Sequence, residues 1–252
     1  MKVTILGCGT SGGVPRIGNV WGNCDPENPK NRRRRASVLV EDGPTRILID
    51  TSPDLREQLL SAEVSELTAV LYTHDHADHT HGIDDLRPVA QMMRKHVPVY
   101  GDERTINILQ HRFGYIFTSR EGYPSICEPN IIHTDPFSVQ GLHITPFEQD
   151  HGFIKSIGYR IGDFAYSTDL KHLDERAFEV LEGVDTWVVD ALRYDEHPTH
   201  SHLDQTLQWI ERVKPRRAVL THMTWDMDYD TLCKNLPDNV EPAYDMLEIK
   251  VD

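Results

Sequence analysis

The stretch THDHADHTHG, residues 73–82, follows the apolar run LTAVLYT at residues 67–73. It places four histidines and two aspartates within ten positions. Imidazole nitrogens and carboxylate oxygens are common protein ligands of zinc and related divalent ions. Because these side chains come directly after an apolar run typical of a buried strand, the stretch predicts a metal site at the end of that strand.

The spacing within the stretch separates the candidate ligands into two sets. In extended backbone, His74 and His76 point to the same side, so their imidazoles can meet one ion. As the chain turns into the next helix, Asp78 and His79 can present an oxygen and a nitrogen to a second ion nearby. Asp75 points away from the two histidines, and we expect it to fix the tautomer of an imidazole as a hydrogen-bond acceptor.

Two ions need more ligands than this stretch supplies, and three candidates lie downstream. His151 follows the strand LHITPF, Asp169 closes FAYSTD, and His222 lies near the end of RAVLTHM. Each occurs where a predicted strand gives way to a loop, a frequent location for sites on α/β sheets. Taken singly, such residues are usually polar loop positions or helix caps. Their combination with the first stretch is what predicts a dinuclear site, and a carboxylate such as Asp169 can bridge two cations.

Length and composition restrict the class of protein. The chain has 252 residues, of which 38% are hydrophobic and 26% charged, as in ordinary soluble domains. The formal charge of −14 disfavours long nucleic acids, which bind to broad basic faces. The start of the chain lacks a signal-peptide pattern, and no apolar run is long enough to span a membrane. These features predict a cytoplasmic enzyme with a small substrate and no membrane contact. They do not exclude that the enzyme is a homodimer.

The order of strand-like and helix-like segments along the chain predicts a single mixed α/β domain over residues 1–252. Leading strands are followed by alternating helices and strands, which is typical of a layered fold. Strands are predicted at 2–6, 37–41, 46–50, 67–73, 97–101, 142–147, 156–161, 164–169, 186–192, 217–223 and 246–251. Helices are predicted at 54–61, 82–95, 103–113, 173–182, 203–213 and 228–235. Residues 7–36 and 114–136 are predicted to be long loops.

The first long loop contains NRRRRAS at residues 31–37, the densest positive run in this acidic chain. One interpretation is a solvated turn whose arginines splay to both sides of a strand. The other is a phosphate or subunit contact, since guanidinium groups bind phosphate in a bidentate manner. The four cysteines are widely spaced, so they predict neither a disulfide framework nor an all-cysteine zinc site.

The order HxHxDH, then His, Asp and His, resembles the metallo-β-lactamase-fold hydrolases. The resemblance covers essentially the whole chain and implies an α/β fold of the αββα four-layer sandwich type. It implies two divalent metal ions, Zn²⁺ or Mn²⁺, with Asp169 between them. The implied ligands are His74, His76 and His151 for one ion, and Asp78, His79 and His222 for the other. His81, Asp84 and Asp85 have no place in the family pattern.

The segment EHPTHSHLDQTLQWIERVKPRRAVLTHM, residues 196–223, resembles the tRNase Z-like and PhnP-like phosphodiesterase branches. With Leu203 and Leu207 in register, His200 matches the family position that contacts phosphate or protonates the leaving alkoxide. A general acid with a near-neutral pKa helps to expel such a poor leaving group. His197 and His202 remain alternatives, and His202 can instead be a simple helix cap.

The opening LGCGTSGGVPRIG, residues 6–18, resembles PhnP-like proteins, whose family activity is hydrolysis of phosphoribosyl 1,2-cyclic phosphate. Relatives with a structural zinc carry a cysteine cluster in the first loop and a histidine three residues after the last ligand. Here the segment WGNCDPENPKNRRRR, residues 21–35, has Cys24 alone, and the later position is Trp225. We therefore predict no structural zinc, and this departure weakens transfer of the relatives' exact substrate.

The sequence thus predicts a dinuclear metal-dependent phosphodiesterase that cleaves a small cyclic or nucleotide-like phosphodiester through a metal-bridging hydroxide. A phosphate contact is assigned to arginines of the first loop or to Arg193. The alternatives are tRNase Z-like RNA processing, hydrolysis of a thioester or lactone, and a non-enzymatic carrier. A thioester or lactone hydrolase would share the metal ligands without needing His200.

Overall fold

The computed structural model describes residues 1–251, whose strands form two seven-stranded sheets. In spatial order, the first sheet contains β14 (Leu247–Lys250), β1 (Lys2–Gly7), β2 (Ser37–Asp42), β3 (Thr45–Ile49), β4 (Ala69–Leu71), β5 (Val97–Gly101) and β6 (Cys127–Ile131). The strands from β14 to β3 pair antiparallel, whereas β3, β4, β5 and β6 pair parallel.

The second sheet has the same mixed organisation. In spatial order it contains β13 (Val240–Pro242), β12 (Arg217–Thr221), β11 (Thr186–Asp190), β10 (Phe164–Ser167), β9 (Lys155–Ile161), β8 (Leu142–Asp150) and β7 (Phe137–Val139). The strands from β7 to β10 pair antiparallel, and those from β10 to β13 pair parallel. Parallel strands need crossover connections, which the helices supply.

The α-helices are α1 (Leu55–Ser61), α2 (Ala77–Thr80), α3 (Leu86–Met93), α4 (Glu103–Arg112), α5 (Gly114–Phe117), α6 (Glu175–Leu181), α7 (Leu203–Val213) and α8 (Tyr229–Asn235). Short 3₁₀ helices occupy Pro29–Asn31 and Ile83–Asp85. Three of the α-helices begin at aspartates whose side chains accept a backbone N–H of the first turn, namely Asp102, Asp174 and Asp228. Among residues 1–251, no helix has the length and apolar character needed to cross a bilayer.

The alternation of side chains along the strands produces the layers. In β3, Ile47 and Ile49 join the core between the sheets, whereas Leu48 faces the opposite way and packs with residues of α1, α3 and α4. Successive residues of a strand point to opposite faces, so an all-apolar strand must be covered on both sides. The second sheet is covered in turn by α6 and α7, which contribute Phe178 and Trp209 to its cluster. The result is the predicted αββα sandwich.

Each predicted strand is found, but the second predicted long loop is partly wrong. Residues 114–136 contain α5 and the edge strand β6, whose sequence CEPNI includes a proline and polar residues. Such a strand lacks the apolar alternation by which strands are recognised, and its pairing with β5 is set by the sheet. The short strands β7 and β13 were also not predicted. The predicted helix 82–95 is divided into a 3₁₀ turn and α3.

The topology places several strand ends at one edge of the sandwich. In the first sheet, β3 and β4 run parallel, and their ends lead to Asp50 and His74. In the second sheet, β10, β11 and β12 run parallel and lead to Asp169, Asp190 and His222. The polar side chains predicted as ligands therefore come from both sheets to a common edge.

Candidate metal centre

All seven predicted ligands converge at that edge and form two overlapping groups. One contains His74, His76, His151 and Asp169, and the other contains Asp78, His79, Asp169 and His222. In each group the potential ligand atoms lie within 4.8 Å of one another. Asp169 belongs to both groups, as the position of a bridging carboxylate requires.

Three of the strand ends that form the centre have unusual backbone. Asp50 (φ 63°), Asp169 (φ 52°) and His222 (φ 57°) all lie in the left-handed region, which is unfavourable for residues with a Cβ atom. Each follows a strand within two residues and turns its side chain into the common edge. Strained residues of this kind persist only where the surrounding structure fixes them, and they concentrate at functional sites.

His151 is positioned by a close approach of two loops. Gly152, which follows it, has φ 79°, and a Cβ atom there would lie 2.7 Å from the side chain of Thr199. Only glycine fits such a position without displacing a neighbour. The close approach lets the Nδ1–H of His151 donate to the carbonyl oxygen of Thr199 at 2.8 Å. Its Nε2 atom is thereby directed to the cluster.

The first group has distances suited to a single ion. The Nε2 atoms of His74 and His151 lie 3.7 and 3.6 Å from Oδ2 of Asp169. Nε2 of His151 lies 3.3 Å from Nδ1 of His76. Neighbouring ligand atoms of a tetrahedral zinc site are separated by about 3.3 Å, because each lies about 2.0 Å from the ion. The first group therefore has nearly the spacing of a tetrahedral shell.

The second group matches this spacing more closely. Nε2 of His79 lies 3.2 Å from Oδ1 of Asp169 and 3.4 Å from Oδ2 of Asp78. Nε2 of His222 lies 3.3 and 3.5 Å from the same two oxygen atoms. Asp169 thus directs Oδ2 to the first group and Oδ1 to the second. This division of one carboxylate between two groups is the geometry of a bridging ligand.

The hydrogen bonding of the cluster supports a metal more directly than the distances do. The Nε2 atoms of His74, His79 and His222 are buried and have no hydrogen-bond partner among the described residues. Leaving a buried polar atom without a partner costs about 1–3 kcal/mol, and three such atoms in one cluster need an explanation. A cation in each group would satisfy all three, so the residues present fit divalent metal ions.

The other ring nitrogens of His74 and His79 are held by protein groups. Nδ1 of His79 donates to Oδ2 of Asp50 at 2.7 Å. Oδ2 of Asp50 also accepts the hydroxyl proton of Thr73, whose Oγ1 accepts from Nδ1 of His74 at 3.0 Å. Asp50 therefore orients one imidazole of each group, and orientation of this kind typically accounts for 10–100-fold in metal affinity. The sequence analysis did not assign this role, because an aspartate after a strand resembles an ordinary turn residue.

The charges inside the cluster depend on one another. Burial lowers the pKa of His74 well below its usual value, and the neighbouring histidines lower it further. Burial would raise the pKa of Asp169, but the surrounding imidazoles hold it well below the usual range. Both shifts favour the forms that bind metal, a neutral imidazole and an ionised carboxylate.

His200 occupies the position beside the cluster that the sequence predicted. Its Nδ1 atom donates to Oδ2 of the fully buried Asp190 at 2.9 Å, because a carboxylate can only accept. This leaves Nε2 on the side of the cluster, 3.7 Å from Oδ2 of Asp169. Burial lowers the pKa of His200, but the carboxylates of Asp169 and Asp190 raise it overall to about 9.

The two alternative histidines are placed differently. His202 begins α7 without a side-chain capping hydrogen bond. His197 accepts from the backbone N–H of Thr199 at 3.3 Å, and its ring centre lies 5.2 Å from that of His200. Among the three, the structure brings His200 into the centre.

The structure gives Asp75 different partners from those predicted. Its carboxylate contacts Arg104 and Arg112 of α4, rather than an imidazole. His81 ends α2 and packs its ring at 5.5 Å from that of Phe113. Asp84, for which the family pattern has no place, pairs with Arg87 at 2.9 Å.

The arginine run of the first loop also has structural partners. Arg33 is buried and donates to the carbonyl oxygens of Thr224 and Met227, so it ties the first loop to the segment after His222. Cys24 lies in the same contact, with Sγ 3.8 Å from Nη1 of Arg33. The remaining partners are Asp245 and Ser61 for Arg34, and Asp54 for Arg35.

Comparison with known proteins identifies the family. Residues 45–223 match the model described as the beta-lactamase superfamily domain. The chain belongs to this superfamily. A solved structure described as a new diphosphatase from the PhnP family superposes with a TM-score of 0.91 and 36% identity over 100% of this chain and 98% of that one. This match confirms the predicted resemblance to the PhnP-like branch.

Other proteins to which the chain is similar differ in what their names describe. An octanoyltransferase of Porphyromonas gingivalis is 34% identical over 100% of this chain and 52% of its own length. The chain spans about half the length of the first curated relatives that it matches. Zinc-bound PqqB from Methylobacterium extorquens shares the fold, with a TM-score of 0.76 and 18% identity over both full chains.

Proposed function

We propose that this chain is a dinuclear metal-dependent phosphodiesterase acting on a small cyclic or nucleotide-like phosphodiester, such as one resembling phosphoribosyl 1,2-cyclic phosphate. The observation that carries the proposal is the His200–Asp190 pair beside the cluster. Hydrolysis of a thioester by metal-activated water does not need a second proton donor, because a thiolate leaves without protonation. Expulsion of an alkoxide from phosphate benefits from one, by about 10²–10⁴-fold.

The proposed ligands are His74, His76 and His151 for one ion, Asp78, His79 and His222 for the other, and Asp169 for both. Two divalent ions bound there would lower the pKa of a water molecule and offset negative charge on the phosphoryl group. Imidazole and carboxylate ligands accept Zn²⁺ and Mn²⁺, so the ligand set accommodates either ion.

His200 is proposed as the general acid. As the bond between phosphorus and the leaving oxygen breaks, its electron pair passes to that oxygen, which accepts the proton from Nε2 of His200. The hydrogen bond from Nδ1 to Asp190 keeps Nε2 on the side of the cluster and stabilises the charged form of the imidazole. Asp190 is a positioning residue in this scheme, since it acts through His200.

The comparisons favour phosphate chemistry over the other candidates. The PhnP-family diphosphatase shares 36% identity over nearly full length, and its description names cleavage of a diphosphate. A tRNase Z-like activity remains an alternative, but the −14 charge of this chain opposes the binding of a long RNA. A non-enzymatic carrier does not require the bridging geometry of Asp169 or a proton donor beside it.

The name of the Porphyromonas gingivalis relative keeps acyl chemistry as a second candidate. That name describes a protein about twice as long as the aligned region, so its activity can reside in either half. A thioester hydrolase built on this centre would retain the metal ligands and would tolerate loss of His200.

A substrate panel tests the proposal. The protein is loaded with Zn²⁺ or Mn²⁺ and assayed on bis(p-nitrophenyl) phosphate, p-nitrophenyl phosphate, an octanoyl thioester and a lactone. We expect turnover of the diester well above that of the others, and its loss in His222→Ala. Turnover of the thioester or lactone without the diester would refute the proposal. Asp163→Asn, which changes an exposed aspartate six residues before Asp169, serves as the control.

A further inference from the structure

A cavity lies at the edge of the first sheet that is opposite to the candidate metal centre. It has a volume of about 270 Å³ and is formed by the end of α3 and the segment before β6. Strands β5 and β6 run parallel to β4, whose end leads to His74. His96 and Ile126, which line the cavity, directly precede β5 and β6. Because β5 has five residues, the two edges are about 16 Å apart.

The lining of this cavity, which we call the basic cavity, carries positive charge. Among residues 1–251, the lining contains no aspartate or glutamate and includes Arg87, Arg94, Lys95 and His96. Arg87 donates to Asp84 at 2.9 Å, whereas the side chains of Arg94 and Lys95 have no hydrogen bond or ion pair within the described chain. Two positive charges are therefore uncompensated in a chain whose formal charge is −14. A phosphate monoester carries about −1.5 to −2 charges at pH 7, so one such group matches both.

The end of α3 does not use these two cations. Basic side chains near the end of a helix can hydrogen-bond its last carbonyl oxygens. In α3 backbone groups do so instead, because the N–H of Arg94 donates to Gln91 and the N–H of Lys95 donates to Ala90. Arg94 lies in the left-handed region at φ 55°, which ends the helix. The two side chains are therefore available to a ligand in the basic cavity.

The segment before β6 brings an aromatic ring to the same cavity. The backbone groups of Arg120 and Tyr123 bond each other in both directions, at 3.0 and 2.8 Å, which closes a tight turn. The hydroxyl of Ser125 contacts Nε2 of His96 at 3.2 Å and joins this segment to the end of α3. Tyr123 is 73% exposed, and within residues 1–251 its ring contacts no other ring or cation. Free cations beside an exposed ring are the combination that binds a phosphate together with a base.

We propose that the basic cavity binds a mononucleotide, whose phosphate contacts Arg94 and Lys95 and whose base stacks on Tyr123. Small-molecule sites have volumes of about 300–1,000 Å³, so this cavity has the size for a small ligand rather than for a polymer. None of the proposed metal ligands lines the cavity, so a nucleotide bound there is a ligand and not a substrate. The inference is therefore independent of the proposed function.

A structural role for the same side chains makes a different prediction. If Arg94 and Lys95 only offset the negative end of the α3 dipole, their loss should lower the stability of the fold and leave nucleotide affinity unchanged. If they contact a phosphate, their loss should lower the affinity for nucleotide. Urea denaturation and a binding measurement on the same variant separate the two roles.

Isothermal titration of the metal-loaded protein with adenosine 5′-monophosphate measures the binding. This compound contains no diester bond, so the proposed activity does not consume it. We expect the wild-type protein to bind it and Arg94→Ala to bind it about tenfold or more weakly, as for loss of a charge-assisted hydrogen bond. Lys214→Ala is the matched control, because Lys214 is exposed and ends α7 at φ 55°, as Arg94 ends α3.

Two further variants locate the ligand. Tyr123→Leu should weaken the binding of adenosine 5′-monophosphate about fivefold or more, through loss of stacking, and leave the binding of inorganic phosphate unchanged. His222→Ala, in the metal centre, should retain nucleotide binding. The inference is overturned if the wild-type protein does not bind the nucleotide, or if Arg94→Ala and Lys214→Ala bind it equally. It is also overturned if His222→Ala abolishes binding that Arg94→Ala keeps, or if Tyr123→Leu leaves nucleotide affinity unchanged.

Discussion

The Nδ1 atom of His79 lies 2.7 Å from Oδ2 of Asp50, and both side chains are fully buried. The same carboxylate oxygen accepts from Thr73, which in turn holds His74. One aspartate therefore orients an imidazole in each half of the candidate centre. This arrangement makes Asp50 a residue whose loss should affect both proposed metal sites without removing a ligand.

We expect Asp50→Asn to weaken metal binding by about 10–100-fold, because both carboxylate oxygens of Asp50 accept from donors of Thr73 and His79, and the amide NH2 would face one of these donors. Isothermal titration of the metal-free protein measures this directly. Asp54→Asn, four residues further along, is the control, since that carboxylate pairs with Arg35 and contacts no imidazole. An affinity equal to that of wild type would show that Asp50 does not position the ligands.

If the proposed two ions bind, Asp169→Asn should reduce the bound metal from about two ions per chain to fewer than about one, because the Asp169 carboxylate belongs to both groups. Metal analysis after dialysis measures the stoichiometry. His76→Ala removes a ligand of the first group only and should leave roughly one ion bound. Equal stoichiometries in the two variants would contradict the bridging role of Asp169.

Replacement of His200 should have an effect that depends on the leaving group. We expect His200→Gln to slow release of an alkyl alcohol by about 10²–10⁴-fold, and release of p-nitrophenolate much less, because p-nitrophenolate leaves without protonation. Asp190→Asn should also slow release of an alkyl alcohol more than release of p-nitrophenolate, but by a smaller factor than His200→Gln. Steady-state kinetics on a series of diesters checks both variants. A uniform loss across the series would exclude His200 as the general acid.

The stability of the fold should depend on Arg33, whose guanidinium is buried and, among residues 1–251, donates to backbone carbonyl oxygens rather than pairing with a carboxylate. Arg33→Met leaves the carbonyl oxygens of Thr224 and Met227 without their donor, and we expect the free energy of unfolding to fall by about 2–5 kcal/mol. Urea denaturation measures this change. Arg32→Met, at an exposed neighbouring position, should alter stability by less than about 0.5 kcal/mol. Similar losses in both variants would contradict the burial of Arg33.

The buried Asp245 should make stability depend on pH. Burial raises the pKa of this carboxyl group from 3.8 to about 7, although the backbone N–H of Arg34 opposes the shift. Between these values the folded chain holds a proton that the unfolded chain has lost, so stability from this group decreases as the pH rises toward 7. The Tm of Asp245→Asn relative to wild type should therefore increase from about pH 5 to about pH 8. Thermal unfolding at equal metal content checks this.

The exposed Asp238→Asn is the control for that measurement, since its carboxyl group is in solvent. Its Tm relative to wild type should stay constant over the same pH range. A constant difference for Asp245→Asn as well would mean that the carboxyl group ionises in the folded protein as it does in the unfolded chain.

The sequence by itself determined most of the strands and the positions of the candidate ligands. Apolar runs such as LTAVLYT must be buried, and the polar residues directly after them must emerge at a sheet edge, so periodicity and composition are sufficient. The spacing of His74 and His76 likewise follows from the alternation of extended backbone. These are local properties, and local properties can be read from neighbouring residues.

Only the tertiary structure decided which distant residues support the centre. Asp50 and Asp190 look like ordinary strand-end aspartates until the sheets bring them to within 2.7 Å of His79 and 2.9 Å of His200. The edge strand β6 forms because β5 offers it a hydrogen-bonding partner, although its own sequence is not strand-like. The partners of Asp75 are Arg104 and Arg112 of α4, rather than the imidazole that its place between two histidines predicted. Such contacts depend on residues far apart in the chain, and no local pattern encodes them.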